Sequence, residues 1–469
     1  MDKNNIFCNL INCKCESSFI NIKKVLMNSK EVEKDDLFVA IRGGNKFVGE
    51  ALEKGAYVIY DDENLQIEEK FKKKAFHVKD SVEFLQEFAE KWRKNLNLKV
   101  IGITGSNGKT TVKDMIYHLL SVKYKGKKTE GNYNNHIGLP FTLLRAEKDD
   151  DFIILEMGMS DFGEIDLLGK ISSPDISVIT NIGESHLEFL KTKKNVFKAK
   201  TEIVPHTRET LVINGDDEYL KDIAESDLKK KGLKTVKILN IGNNKENIRD
   251  IAERNNNFYY GDIDFNEIEA GFSLKYFDEN FKKWIQKAYN TNVLGEHNIL
   301  NLTIAISVAK QMALEDNDIE KAIKNIVLTN MRFQIIAKGK TTYINDAYNA
   351  SPMSMKKSLE TFSKIYNDRE KIAVIGDMLE LGEEEAELHA SIFDVIVNIN
   401  LNKLYLYGPR MRFLYDKIKE NSDNENIKNI ETEYFESKEQ IKEKLEQIKD
   451  EKVILIKASR GMKLEDVME

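Results

Sequence analysis

The sequence predicts an α/β protein of three domains, and three observations carry that expectation. Short apolar runs alternate with helix-like segments in two separate stretches of the chain. A glycine-rich turn, "TGSNGKTT" (104–111), joins one such run to the helix pattern after it. The length, 469 residues, exceeds what one ordinary core holds. Apolar strands that each precede a helix pattern mark a mainly parallel sheet, buried on both faces.

The first domain, expected over 1–96, is small and mixes strands with helix. "DLFVAI" (36–41), "AYVIYD" (56–61) and "AFHVKD" (75–80) are its strands, divided by turns and one short helix. The amphipathic "SVEFLQEFAEKWRKNL" (81–96) is a helix leading out of it. The central domain, 97–327, has "KVIGIT" (99–104), "FIILEMG" (152–158), "ISVITNIG" (176–183) and "TLVING" (210–215) as strands. The Asn- and Lys-rich stretch 245–283 is its least legible part; "AGFSLKYF" (270–277) and its neighbours suggest hairpins without a firm placement. The apolar helix "NILNLTIAISVAKQMA" (298–313) closes this domain, and a junction is expected near 325–330. The last domain, 328–469, repeats the alternation with "TTYINDAY" (341–348), "KIAVIGDM" (371–378), "KLYLYG" (403–408) and "KVILIKAS" (452–459), which predicts a Rossmann-like sheet.

A formal net charge of −7 argues against a general polyanion binder, so nucleic acid is not expected as a partner. Phosphate must then be held by a few local donors. Hydrophobic residues at 41% with charged residues at 32% fit a soluble globular chain. No apolar run approaches the roughly 20 residues needed to span a bilayer. The start, "MDKNNIFCNLINCKCESS", lacks the basic-then-apolar form of a signal peptide, and a cytoplasmic location is expected. Cys8, Cys13 and Cys15 are expected to be reduced thiols, because Cys13 and Cys15 are spaced too tightly for the usual zinc pairs.

Ligands of such sheets lie beyond the carboxyl ends of the strands. Gly105 to Thr111 follow one strand, Glu156 ends the next, and Asn181 and His186 follow the third; Asp346, Asp377 and Ser459 hold equivalent places in the last domain. Gly105 and Gly108, with Ser106 and Asn107 between them, let backbone N–H groups approach phosphate oxygens, and the helix after them points its positive end there. Lys109 would reach the outer phosphates, and the Thr110 hydroxyl, next to Thr111, would join a magnesium shell. Ile103 stands where the pattern G-x-x-x-x-G-K-[ST] has its first glycine. The flanking strand, helix and strand-end acid favour phosphate binding over a structural glycine turn. Position alone reads Glu156 either as an Mg²⁺ ligand or as a solvated carboxylate. His186 reads as a metal ligand, a general base or a satisfied loop histidine. Lys200, in "NVFKAKTEIV", reads by itself as part of a solvated helix face.

"TGSNGKTT", "GNYNNHIGLP" (131–140), "LEMGMS" (155–160), "NIGESHLE" (181–188) and "LGEHNILN" (294–301) together resemble, in order, the motifs of the Mur ligases. These are ATP-dependent amide-forming enzymes of bacterial cell-wall synthesis, and their own version of the phosphate loop accounts for Ile103. In the last domain "DAYNASPMSM" (346–355), "VIGDMLELG" (374–382) and "KASRGM" (457–462) are similar to the member that adds D-alanyl-D-alanine to UDP-N-acetylmuramoyl-tripeptide. "NSKEVEKDDLFVAIRGG" (28–44) resembles its UDP-sugar-binding segment, and the D-N-P-R motif of the tripeptide-forming relative does not occur.

The resemblance implies a set of roles. Gly105, Ser106, Asn107, Gly108, Lys109, Thr110 and Thr111 would hold the ATP phosphates, Asn298 and Asn301 the adenine. Arg332 and Asp346 match phosphate and ribose contacts at the hinge of the last domain, which would bind the acceptor and close over ATP. Thr110 and Glu156 would ligate one Mg²⁺, and His186 and Lys200 a second, with Lys200 as a carbamate. Lys109, Glu156, His186 and Lys200 would form the catalytic set. Ser29, Lys30, Asn134, Asn135, Ser160, Asn349 and Ser351 match substrate-binding positions. Lys30 stands in place of a usual arginine, Ser351 of asparagine, Ala458 of glycine and Met331 of a common glycine. The implied reaction makes an acyl phosphate on the tripeptide and releases ADP and phosphate, in a monomeric enzyme. The alternatives are another ligase of this fold, adding a single amino acid or glutamate to folate, and a nucleotide switch without ligation.

Overall fold

The computed structural model describes residues 2–12, 20–223, 237–243, 257–278, 282–448 and 451–469. Cys13 and Cys15 lie outside the described residues, and Cys8 is buried.

Three sheets organise the chain. The first is four-stranded and parallel throughout: β1 (Val25–Leu26), β2 (Leu37–Val39), β3 (Tyr57–Tyr60) and β4 (Ala75–His77), in that spatial order. β2 is buried at all three positions, so its run of apolar residues reads as a strand covered on both faces. The helix Ser81–Arg93 follows, capped by Asp80, whose carboxylate accepts from the N–H groups of Val82 and Glu83. Its apolar side docks on the central sheet's helices. Trp92 Nε1 donates to the Ala146 carbonyl at 3.0 Å, and the buried Arg93 pairs with Asp175 at 2.8 Å.

The second sheet has nine strands, in the order β13-β12-β11-β10-β9-β8-β5-β7-β6. They are β5 (Lys99–Thr104), β6 (Gly126–Lys128), β7 (Phe152–Glu156), β8 (Ile176–Ile179), β9 (Thr210–Asn214), β10 (Lys237–Gly242), β11 (Asn257–Phe265), β12 (Ala270–Asp278) and β13 (Lys283–Thr291). β6 to β10 and β5 are parallel, while β11, β12 and β13 form an antiparallel edge. That edge explains the poor legibility of 257–278, while 245–256 and 279–281 lie outside the described residues. β12 is strictly alternating in burial, one face on the core and the other in water, so its charged residues break up any continuous apolar run. The apolar helix runs from Glu296 to Gln311, two residues earlier at each end than its sequence suggests. It is buried on almost every side, as an all-round apolar helix must be.

The third sheet, order β14-β15-β19-β16-β17-β18, comprises β14 (Gln334–Lys338), β15 (Thr341–Asn345), β16 (Glu370–Gly376), β17 (Lys403–Tyr407), β18 (Glu431–Phe435) and β19 (Lys452–Lys457). Only β14 is antiparallel, joined to β15 by a tight turn at Gly339, whose φ is 60°. β5 lies where the chain order reverses, with β7 on one side and β8 on the other. A crevice opens at such a point, beyond the strand ends.

Candidate active site

The glycine turn after β5 is held from beneath. A Cβ on Gly105, whose φ is 145°, would fall 1.9 Å from Thr180 Oγ1, so only hydrogen fits there. Asn181 fixes the rest of the turn: its carbonyl accepts from Ser106 N at 3.0 Å and its side-chain oxygen from Asn107 N at 2.9 Å. The helix Lys109–Leu120 begins at Gly108 in the left-handed region, and residues 106–111 line a cavity of about 850 Å³. That volume suits a small-molecule ligand. Lys109 Nζ folds back to donate to the Gly105 carbonyl at 2.7 Å. Burial pulls its pKa down, Glu156 opposes that, and Arg332 adds to it. Two buried donors on the same cavity, Asn107 Nδ2 and Arg332 Nε, have no acceptor among the described residues. A phosphate oxygen would supply one.

Glu156 ends β7 and is buried. Its Oε2 accepts from the Thr110 hydroxyl at 2.9 Å and its Oε1 from Asn134 Nδ2 at 3.0 Å. Lys113 Nζ, also buried, stands 3.5 Å from Oε2. A hydroxyl and a carboxylate thus share one point at the mouth of the phosphate turn, and hard oxygen donors of this kind suit Mg²⁺. Among the described residues no three His, Cys, Asp or Glu side chains gather into a cation cage. A nucleotide-bound Mg²⁺ needs only one or two protein oxygens besides phosphate and water, so the pair fits.

His186 has a φ of 56° and precedes the short helix Leu187–Leu190. Its Nδ1 lies 2.9 Å from Glu380 Oε2, a residue contributed by the segment after β16, and this contact holds the Glu380 carboxyl below its usual range. Lys200 ends the helix Lys193–Lys200 and is 1% exposed. Burial first, and the Lys109 ammonium second, push its pKa well below the usual lysine value. A neutral amine is what carbamate formation requires, so the residue fits that chemistry. Lys200 does not itself line the cavity, whereas His186 does.

The far wall comes from the third sheet. Arg332 donates to Thr110 Oγ1 at 3.1 Å and stacks on the Tyr348 ring at 4.0 Å. Asp346, just past β15, pairs with Lys457 at 2.7 Å and accepts from Phe333 N at 3.1 Å. Ser351 caps the helix Pro352–Lys364 and reaches Asn107 Oδ1 at 3.0 Å, so it ties the third sheet to the phosphate turn. Asn349, Ser160 and Asn135 line the cavity too; Asn135 Oδ1 also accepts from Ile137 N and Gly138 N. Asn298 and Asn301 line it from the apolar helix and bond each other at 3.3 Å.

Ser29 and Lys30 are not among the cavity's lining residues. Ser29 donates to Glu50 at 3.2 Å, and its carbonyl accepts from Lys54 Nζ at 2.7 Å. The first sheet reaches the cavity instead through Arg42, 3.4 Å from the lining residue His136. Sequence reasoning missed Lys113, Glu380, His297, Tyr348 and Lys457 as site residues. Lys113 carried no local signal among many helix lysines, whereas Glu380, His297, Tyr348 and Lys457 lie inside the quoted "VIGDMLELG", "LGEHNILN", "DAYNASPMSM" and "KASRGM", where motif membership was the available signal.

The middle of the chain, residues 103–309, matches the Mur ligase middle domain, and residues 331–460 match the Mur ligase glutamate ligase domain. A Bacillus subtilis (strain 168) protein named UDP-N-acetylmuramoyl-tripeptide–D-alanyl-D-alanine ligase is 32% identical over 454 residues, 95% of this chain and 92% of its own. The chain belongs to the Mur ligase family. The fold of this Mur ligase agrees with solved relatives. A crystal structure of MurF ligase from Thermotoga maritima in complex with ADP has a TM-score of 0.76 at 28% identity, covering 95% of this chain and 96% of that one. A MurF crystal structure from Acinetobacter baumannii has a TM-score of 0.82 over 99% of this chain, at 24% identity. The likeness therefore runs through all three sheets of this Mur ligase, and the ADP-bound relative has nucleotide in the same fold.

Proposed function

We propose that the chain is an ATP-dependent ligase that joins D-alanyl-D-alanine to UDP-N-acetylmuramoyl-tripeptide in peptidoglycan precursor synthesis. The observation that carries this reading is the near full-length match to the Bacillus subtilis ligase of that name. The geometry supports it: a phosphate turn, a strand-end carboxylate and an arginine from a second sheet meet at the Thr110 hydroxyl.

In this reading residues 1–96 take the UDP-sugar, with Ser29 and Lys30 in its segment. Residues 97–327 hold ATP, and residues 328–469 bring Asn349 and Ser351 to the acceptor. The γ-phosphoryl group of ATP passes to the terminal carboxylate of the tripeptide, leaving ADP. The acyl phosphate is then attacked by the free amine of D-alanyl-D-alanine, and the tetrahedral adduct collapses to amide, phosphate and a released proton. A carboxylate is a poor acyl donor because oxide would have to leave; phosphate leaves readily. Lys109 swings from the Gly105 carbonyl to the outer phosphates, and Arg332 places a second positive charge at the same end. Ser106 to Thr111 orient the triphosphate, Asn298 and Asn301 the base, and Asp346 the ribose. Asn134 keeps the Glu156 carboxylate aimed at Thr110, and Ser160 and Asn135 border the reacting carboxylate. Thr110 and Glu156 would hold one Mg²⁺, and His186 with Lys200 a second, which offset the repulsion between anionic nucleophile and anionic phosphate. Lys200 serves as a carbamate: its neutral amine adds to CO₂ and gives up one proton, turning a buried base into an anionic oxygen ligand. The reading takes the enzyme as a monomer, in the cytoplasm where ATP and nucleotide-linked precursors are at hand.

The test uses the purified chain with ATP, Mg²⁺, UDP-tripeptide and D-alanyl-D-alanine. ADP and phosphate should appear only when both peptide substrates are present, and ¹⁸O placed in the tripeptide carboxylate should pass into the phosphate. Equal phosphate release without the dipeptide refutes ligation. A single amino acid or a folate replacing the dipeptide and the UDP-tripeptide without loss of rate would assign the chain to another ligase of this fold.

A further inference from the structure

The segment between the apolar helix's unit and the third sheet is clamped from both sides. Upstream, Asn292 holds Ile326 through two bonds of 3.0 Å, one to its N–H and one to its carbonyl. Three residues on, Asp114 takes over: its Oδ2 accepts from Thr329 N at 2.9 Å and from the Thr329 hydroxyl at 2.5 Å. Downstream the partners change. Met331 N donates to Gln334 Oε1 at 3.1 Å, Tyr348 N to the Met331 carbonyl at 3.3 Å, and Phe333 N to Asp346. Thr329 thus belongs to the central sheet and Met331 to the third. Met331 and Phe333 have φ of 64° and 53°, in the left-handed region that side chains other than glycine rarely adopt. Arg332, between them, is carried by the third sheet onto Thr110.

Asp114 lies on the helix that follows the phosphate turn and is 1% exposed. Its Oδ1 pairs with Lys128 at 2.7 Å and stands 3.9 Å from Lys113, the same lysine that faces Glu156. We propose that Asp114 is a positioning residue: its grip on Thr329 confines the pivot of the third sheet's unit to residues 330 and 331, so that closure delivers Arg332 to Thr110. The inference rests on the reading that this unit closes over ATP. It assigns Asp114 and Thr329 a share in turnover although neither lines the cavity.

The test compares Thr329→Val, which removes only the hydroxyl donor, with Thr329→Ser, which restores it, and Asp114→Asn, which weakens the anchor's charge. For Thr329→Val we expect kcat to fall about tenfold, as for one lost charge-assisted hydrogen bond, with KM for the UDP-tripeptide unchanged. Thr329→Ser should recover most of it. Small-angle scattering with a non-hydrolysable ATP analogue and UDP-tripeptide should show a smaller contraction for Thr329→Val and Asp114→Asn than for the parent. If Thr329→Val contracts and turns over like the parent, the inference is overturned, and so it is if Asp114→Asn lowers only thermal stability. A parent that contracts without ligating would instead sink the functional reading and leave the pivot to be judged by scattering alone.

Discussion

His297 offers a stringent test of the site's electrostatics. Its Nδ1 is buried without a hydrogen-bond partner among the described residues, and its ring faces Phe333 edge-on at 6.5 Å. Burial lowers its pKa from 6.5 to about 4; the Asp346 carboxylate opposes the shift and the Lys457 ammonium adds to it. The folded value lies below the unfolded one, so between them the unfolded chain holds the extra proton and stability rises with pH. At about 1.4 kcal/mol per unit of mismatch, the penalty is about 2 kcal/mol at pH 5 and about 3 kcal/mol at pH 4, and it vanishes above roughly pH 7.5. His297 lines the cavity, where water screens part of this, so these figures are ceilings.

The assay is urea unfolding of the parent and of His297→Gln at pH 5 and pH 7.5. Titrations common to both cancel in the difference, and the parent should lose up to about 2 kcal/mol more than the variant on acidification. Equal pH slopes for parent and variant would refute the reasoning, as would a ¹⁵N-detected titration of His297 centred at its ordinary value.

Three further outcomes follow from the same geometry. Gly105→Ala drives a methyl group into the Thr180 hydroxyl, 1.9 Å away, and at an overpacking cost of about 1–3 kcal/mol should weaken ADP binding roughly ten- to hundredfold by calorimetry. With ¹³C-labelled bicarbonate the parent should show a carbamate resonance that Lys200→Ala lacks; acidification should erase it, because the protonated amine cannot add to CO₂, and its persistence in Lys200→Ala would exclude this lysine. Arg93→Ala removes a buried cation from Asp175 and leaves the Ser172 carbonyl, which Arg93 Nε now satisfies at 2.9 Å, without that donor, and should cost about 3–5 kcal/mol in chemical unfolding; a loss below about 1 kcal/mol would mean that Asp175's other partners, Arg208 at 3.0 Å and the Val100 N–H at 2.8 Å, suffice.

How much of this was legible in the sequence depended on the range of the interactions. The phosphate turn, Glu156 and the strands buried on both faces announced themselves locally, because a buried parallel strand must be apolar throughout and a turn that admits no Cβ must be glycine. β12 and β13 stayed obscure since a half-exposed strand spends every second position on water; the alternation was present in "AGFSLKYF" but blurred by Lys275 and by the polar residues around it. β14 and β18 were missed for the same reason, with mostly half-exposed burial patterns.

The site divides along the same line. Residues that bind through their own backbone or at a strand end could be found from short motifs. Those that act by meeting a partner from another sheet could not, since nothing near Glu380 in the chain specifies His186, and nothing near Asp114 specifies Thr329, 215 residues on. Lys200 lies between the two cases. As one lysine of a polar helix it reads as solvated, and only the fold makes it 1% exposed and sets it against Lys109. Burying an amine that close to another cation is unfavourable as an ammonium, and conversion to an anionic carbamate reverses the sign of that repulsion. Burial is the larger of the two penalties on the ammonium and would fall on an anion as well, so carbamate formation would relieve only the repulsion from Lys109.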